Sequence, residues 1–174
     1  KLSNQLCSLR PKEDKLTFSA VFQLNKEGEV LKSWFGKTVI HSDHRFTYEE
    51  AQEIIEGKSH EFQKEILGIN SIARILREQR LSLGALNVES TEVRFEIDEN
   101  GEPVGTYLKV SKEAHQLIEE FMLLANKHVA IKMGKPAKNK FIPPFIYRIH
   151  DDPNEEKLSD LNIFLKSMGY QLVR

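Results

Sequence analysis

The residues whose types and spacing ask for a chemical role lie in "HQLIEEFMLLANKHVA", residues 115–130. A strongly apolar helical pattern there carries His115, Glu119, Glu120 and Asn126. On a wheel of about 100° per residue, Ala114, Leu117, Ile118, Phe121, Met122, Leu124, Ala125 and Val129 gather into one arc. His115, Glu119, Met122 and Asn126 form a ridge along one border of it, because separations of three, four and seven share a face. Glu120 and Lys127 fall on the other border. The two adjacent glutamates therefore point to different places and do not make an acid–base pair. Such a ridge is either the polar margin of a core helix, closed by a Glu–His or Glu–Asn hydrogen bond, or one wall of a polar channel.

Other groups are sparser. "IHSDHRFTY" offers His41, Asp43 and His44, but metal sites need three or four converging ligands and this spacing supplies no recognised set. Ser42 or Asp43 shaping the turn before a helix is the expected role, and no residue is assigned as a metal ligand. Tyr48 stands at the first helical position, where an aromatic ring either stacks on a base or packs inward. In "YRIHDDP", Arg148 and His150 share one side of an extended segment. That pair suits a phosphate, Arg148 through its fork of donors; the alternative is a salt bridge to a nearby carboxylate. Asp151 and Asp152 before Pro153 mark a turn and helix entry. The single Cys7 rules out an internal disulfide and fits a reducing, cytoplasmic setting; its apolar neighbours predict buried packing rather than nucleophilic use. No Gly-rich phosphate loop, G-x-S-x-G or dense carboxylate cluster is present.

The elements that must position these groups follow from periodicity. The chain has 174 residues, 40% hydrophobic and 29% charged, with a formal net charge of −1. This favours one domain with a real core, and any nucleic-acid partner would need a local groove rather than a basic protein. No run of about 18 apolar residues occurs, so no membrane partner is expected. Alternation of Leu16, Phe18, Ala20, Phe22 and Leu24 predicts a half-buried strand, paired through "NKEGEV" with a second over 30–42, Gly36 marking a bulge. Thr47 and Glu50 make a capping box for a helix that Gly57 stops. A longer helix over 60–83 carries Arg74, Arg77, Glu78 and Arg80 on what reads as a solvated face. A hairpin follows, with Val93, Phe95 and Ile97 on one side, a turn at "ENGEP" and a return over 104–110. The glutamate helix opens near Ser111. "GKPAKNK" is a basic linker, "FIPPFIYRIHDDP" a short extended strand, and the last helix is capped by Asn154 and stopped by Gly169. The fold class is α+β.

Together "LSNQLCSLRPKEDKLTFS", "VIHSDHRFTYEEAQ", "HQLIEEFMLLANKHVA" and "YRIHDDP", in that order, resemble the catalytic domain of the ribonuclease II / ribonuclease R family, more the ribonuclease R type. The resemblance covers essentially the whole chain. It implies processive 3′-to-5′ hydrolysis of single-stranded RNA with two Mg²⁺ ions held by aspartates. Those aspartates belong to a motif expected before Lys1, and an arginine motif and RNA-binding domains are expected elsewhere. On this reading residues 1–174 are the central segment of one catalytic domain, inactive alone, with no catalytic or metal-ligating residue of its own. The resemblance further implies RNA contacts by Tyr48, Phe95, Glu119 or Glu120, Arg148 and His150. Expected partners are single-stranded RNA and the remaining parts of the same polypeptide, with self-association where apolar faces stay uncovered. The alternative is a catalytically empty RNA-binding or protein-interaction module on the same scaffold.

Overall fold

The structure is a computed structural model that describes residues 2–87, 92–135 and 144–172. It divides into a unit of Lys1–Lys135 and a unit of Pro136–Arg174.

The first unit begins with a wide helical turn over Leu2–Leu6, closed by the Cys7 N–H on the Leu2 carbonyl at 3.0 Å. Cys7 is exposed, not packed in the core as its apolar neighbours predict. Strands β1 (Asp14–Leu24) and β2 (Val30–His41) pair antiparallel, Leu16 opposite Val39 and Ser19 opposite Gly36. Their turn is built by Asn25, whose Oδ1 accepts the N–H groups of Glu27 and Glu29 at 3.1 and 2.8 Å. Gly28 supplies the positive φ of 80° and sits so tightly that a Cβ there would meet the Leu76 Cδ2 atom at 3.3 Å. The one register shift falls between Gln23 and Leu24, so Gly36 marks no bulge. Its need for glycine is different: the Trp34 ring lies over it, and a Cβ would come within 2.5 Å of that ring.

Helices α1 (Tyr48–Ile55), α2 (Gln63–Ser82) and α3 (Glu113–Gly134) pack on one another and bury Ile54, Ile66, Ala73, Ala114 and Leu117. The first hairpin meets this bundle through its turn and the strand residues next to it. There Phe22 and Phe35 pack edge to face at 5.8 Å, His128 of α3 lies 5.2 Å from Phe22, and the Lys132 ammonium sits over Phe35. Ala20, Phe22 and Leu24 are half-buried as alternation predicts, but Leu16 and Phe18 are 86% and 72% exposed. Alternation sorts side chains onto faces; it does not supply the layer that covers a face.

Strands β3 (Glu92–Ile97) and β4 (Pro103–Lys109) form the second hairpin, turned by Asp98, whose Oδ1 accepts the N–H groups of Asn100 and Glu102. Its apolar side, with Val93, Phe95 and Ile97, is exposed.

In the second unit, residues 144–153 adopt no regular structure, so the strand expected there is absent from the described residues. Two prolines at 143 and 144 remove the donors a ladder needs. Helix α4 (Glu155–Ser167) is capped by Asn154, whose Oδ1 accepts the Lys157 N–H at 3.0 Å. The basic stretch 136–140 lies outside the described residues. Helices and two-stranded antiparallel sheets, segregated along the chain, make the fold α+β.

Candidate nucleic-acid interface

The site grows from two helix N-termini. Thr47 Oγ1 accepts the Glu50 N–H at 3.1 Å while the Glu50 carboxylate accepts the Thr47 N–H at 2.8 Å. The backbone hydrogen bond from Thr47 holds the Glu50 carboxyl below its usual range. This reciprocal cap fixes the first turn of α1 and with it Tyr48. The buried Gln52, one turn on, uses its Oε1 to accept the Ala114 N–H at 3.0 Å, satisfying one of the free donors at the start of α3. The two N-termini are thereby tied together, and the Tyr48 and His115 rings stack, centroids 4.1 Å apart and planes 9° from parallel. His115 Nδ1 also accepts the Lys112 N–H at 3.3 Å. Tyr48 remains 43% exposed.

One turn further along α3 the two glutamates part. Glu120 is 3% exposed and accepts from Arg80, whose Nη2 lies 2.6 Å from Oε1 and whose Nε lies 3.2 Å from both oxygens. Arg77 adds a second cation 3.7 Å from the same carboxylate. Glu119 is exposed and shares only the edge of Arg80, at 3.1 Å. The carboxylates, Glu120 first, raise the Arg80 pKa above its ordinary value. Nearer the start of α3, Glu113 takes Arg74 at 2.6 Å and the buried Asn70 at 3.0 Å.

The α2 face of Arg74, Arg77 and Arg80 is therefore not a merely solvated surface: it faces α3 and neutralises carboxylates there. The signal was present in the sequence, cations at steps of three on α2 against carboxylates seven apart on α3. Nothing local says that those two faces meet. The Glu–His or Glu–Asn bond expected along the ridge gives way to Arg80 as the partner of Glu119.

Hydrogen bonds from Arg74, then Asn70, hold the Glu113 carboxyl below its usual range. Its folded pKa thus lies below its unfolded one. The stabilisation is complete above about 5, fades as pH falls through the ordinary glutamate value near 4.3, and is lost below the folded value. Thermal melts between roughly pH 6 and pH 3 should show this loss, and Glu113→Gln should flatten that part of the profile. A mutant profile that overlays the native one would assign the acid sensitivity elsewhere.

Tyr48, His115, Glu119, Met122 and Asn126 thus share an accessible ridge, beside a depression of about 540 Å³ lined by Phe46, Ile66, Ile69 and Ile118. Phe95 stands on the exposed side of the second hairpin and makes no ring contact among the described residues. Arg148 and His150 are exposed in the second unit, and Arg148 has no ion pair among the described residues.

The "HSDH" residues do not converge. His41 is held by Asp14 at 2.8 Å, and the Ser42 hydroxyl donates to the His44 carbonyl at 3.1 Å, shaping the turn. Instead His44, His60 and Glu61 bring one donor atom each within 4.8 Å of one another. Yet the His60 Nδ1 accepts the Phe62 N–H at 3.2 Å, and both imidazoles pack against Phe46 and Phe62. Mg²⁺ takes oxygen ligands in octahedral geometry. Two imidazoles and one carboxylate do not fit it, so no step involving that ion is assigned to these residues.

A family model described as the RNB domain matches residues 1–173. DIS3-like exonuclease 2 of Schizosaccharomyces pombe is 38% identical over 185 residues, covering 97% of this chain and 20% of the relative. Ribonuclease R of Aquifex aeolicus is 34% identical, covering 100% and 25%. Among solved structures, Mycoplasma genitalium RNase R in complex with ribose methylated single-stranded RNA superposes with a TM-score of 0.79 at 25% identity, covering 97% of this chain and 26% of that one. The chain therefore spans about a fifth to a quarter of the length of these relatives.

Proposed function

The chain belongs to the RNB-domain family, the ribonuclease II / ribonuclease R group, and on that premise we propose that it grips RNA for a 3′-to-5′ exoribonuclease rather than cutting it. The observation that carries this is the continuous ridge from the Tyr48–His115 stack to the exposed Glu119. Aromatic stacking reads any base, which suits sequence-tolerant degradation. A half-exposed carboxylate repels phosphate but accepts hydrogen bonds from ribose hydroxyls, so Glu119 faces the sugar of a terminal nucleotide. Glu120, buried beneath Arg80 and Arg77, holds the helices together and is reassigned from RNA contact to support. Phe95 offers a second exposed ring for a base. Arg148 and His150 supply donors for the phosphate backbone.

The hydrolytic step belongs to carboxylates elsewhere in the polypeptide, which would hold the two Mg²⁺ ions. The substrate on this reading is single-stranded RNA in the cytoplasm, since stacking on an exposed ring takes unpaired bases. Support comes from family membership and from an RNase R relative solved with single-stranded RNA.

The test is binding of a labelled single-stranded oligoadenylate to the complete polypeptide in chelator, followed by fluorescence anisotropy. Tyr48→Ala should weaken binding roughly tenfold, within the 1–3 kcal/mol that one stacked base contributes. Affinity unchanged by both Tyr48→Ala and Glu119→Ala would remove the ridge from the RNA path.

A further inference from the structure

Tyr48 is 43% exposed and lines the depression beside the ridge. At a centroid distance of 4.1 Å and 9° between planes, the imidazole of His115 covers one face of its ring. An exposed tyrosine at the first position of a helix would ordinarily turn about its side-chain bonds. Here the covering ring is itself fixed twice over. It rides on the first turn of α3, which Gln52 of α1 caps through the Ala114 N–H, and its Nδ1 accepts the Lys112 N–H.

We propose that His115 is a positioning residue that backs Tyr48, so that the two rings form a single-sided platform for one unpaired RNA base. This rests on the reading of Tyr48 as an RNA contact. The physical gain is preorganisation: a ring already held in its bound orientation loses little freedom when a base lands on it. The order of the stack is then base, Tyr48, His115, with Glu119 one helical turn along the same ridge to meet the attached sugar.

Four variants of the complete polypeptide test this, with a fluorescein-labelled single-stranded oligoadenylate of about ten nucleotides in chelator as probe. Tyr48→Ala should weaken binding roughly tenfold. His115→Leu keeps apolar bulk but removes the flat partner, and should weaken binding roughly three- to fivefold, within the range of an aromatic pair. His115→Phe keeps the stack without the nitrogen and should stay within about twofold of the native protein. The double variant Tyr48→Ala/His115→Leu should bind about as weakly as Tyr48→Ala alone, since His115 acts only through Tyr48. In hydrolysis assays His115→Leu should raise KM and leave kcat unchanged.

Native affinity in His115→Leu beside a weakened Tyr48→Ala would overturn the positioning role while leaving the site in place. Fully additive losses, or a His115→Phe variant as weak as His115→Leu, would overturn it as well. Native affinity in Tyr48→Ala would overturn the site itself, and the platform with it.

Discussion

Glu120→Ala is expected to destabilise the first unit by about 3 kcal/mol, whereas Glu119→Ala next to it should cost less than about 1 kcal/mol. Glu120 is 3% exposed and is the counter-charge for two guanidinium groups. Deleting it leaves Arg77 with its bond to Asn87 and Arg80 with only the edge contact to Glu119, two like charges against a helix interface with part of each side chain already removed from water. The expected loss is at the low end for a broken buried pair because Arg80 keeps 30% of its side-chain exposure and can recover some hydration. Glu119, in contrast, has 48% side-chain exposure and gives up only one edge contact with Arg80. Denaturant titrations should therefore show a clearly lower midpoint for Glu120→Ala at an unchanged slope, and a near-native curve for Glu119→Ala. RNA affinity should follow the opposite order among the folded proteins. Equal stability losses at the two positions would mean that the buried and exposed assignments are wrong.

Chelation should abolish hydrolysis of single-stranded RNA by the complete polypeptide, to the background rate, while its RNA affinity persists. The contacts proposed for Tyr48, His115 and Glu119 are stacking and hydrogen bonds, which need no cation. Cleavage of a phosphodiester at neutral pH calls for an activated water and neutralised phosphate charge, which a pair of divalent ions supplies. Residues 1–174 alone, given Mg²⁺, should leave the same RNA intact over hours, because their described donors offer Mg²⁺ a poor set. Sustained hydrolysis in excess chelator would sink the two-metal reading. Robust Mg²⁺-dependent cleavage by the isolated chain would place the chemistry inside it.

The uncovered apolar faces have a consequence for handling. Leu16, Phe18 and Val39 on the first hairpin, and Val93, Phe95 and Ile97 on the second, are all more than half exposed. Faces of this kind favour association, and the remaining parts of the same polypeptide are the partners proposed to cover them, apart from the Phe95 ring proposed to take a base.

What the sequence determined by itself was everything set within a few residues. The capping box of Thr47 and Glu50 is visible as a pair three apart, and the structure forms both of its hydrogen bonds. The Asn154 cap, both hairpins and the presence of the three long helices follow from caps, turn residues and hydrophobic period, all local properties, although α2 and α3 start two to three residues later than expected, at Gln63 and Glu113. The ridge of His115, Glu119 and Met122 was equally legible, since one helix turn fixes which side chains are neighbours.

Only the tertiary structure decided what those faces meet. A wheel places Glu119 and Glu120 on different sides of α3 but is silent on which side holds α2. Arg80, 40 residues away in the chain, settles it by closing over Glu120 and leaving Glu119 in the open. The same holds for Tyr48, whose partner His115 comes from another helix, and for Leu16 and Phe18, whose face no layer covers among the described residues. Periodicity encodes the direction of a side chain relative to its own backbone, whereas burial and charge pairing depend on what packs against it from distant sequence.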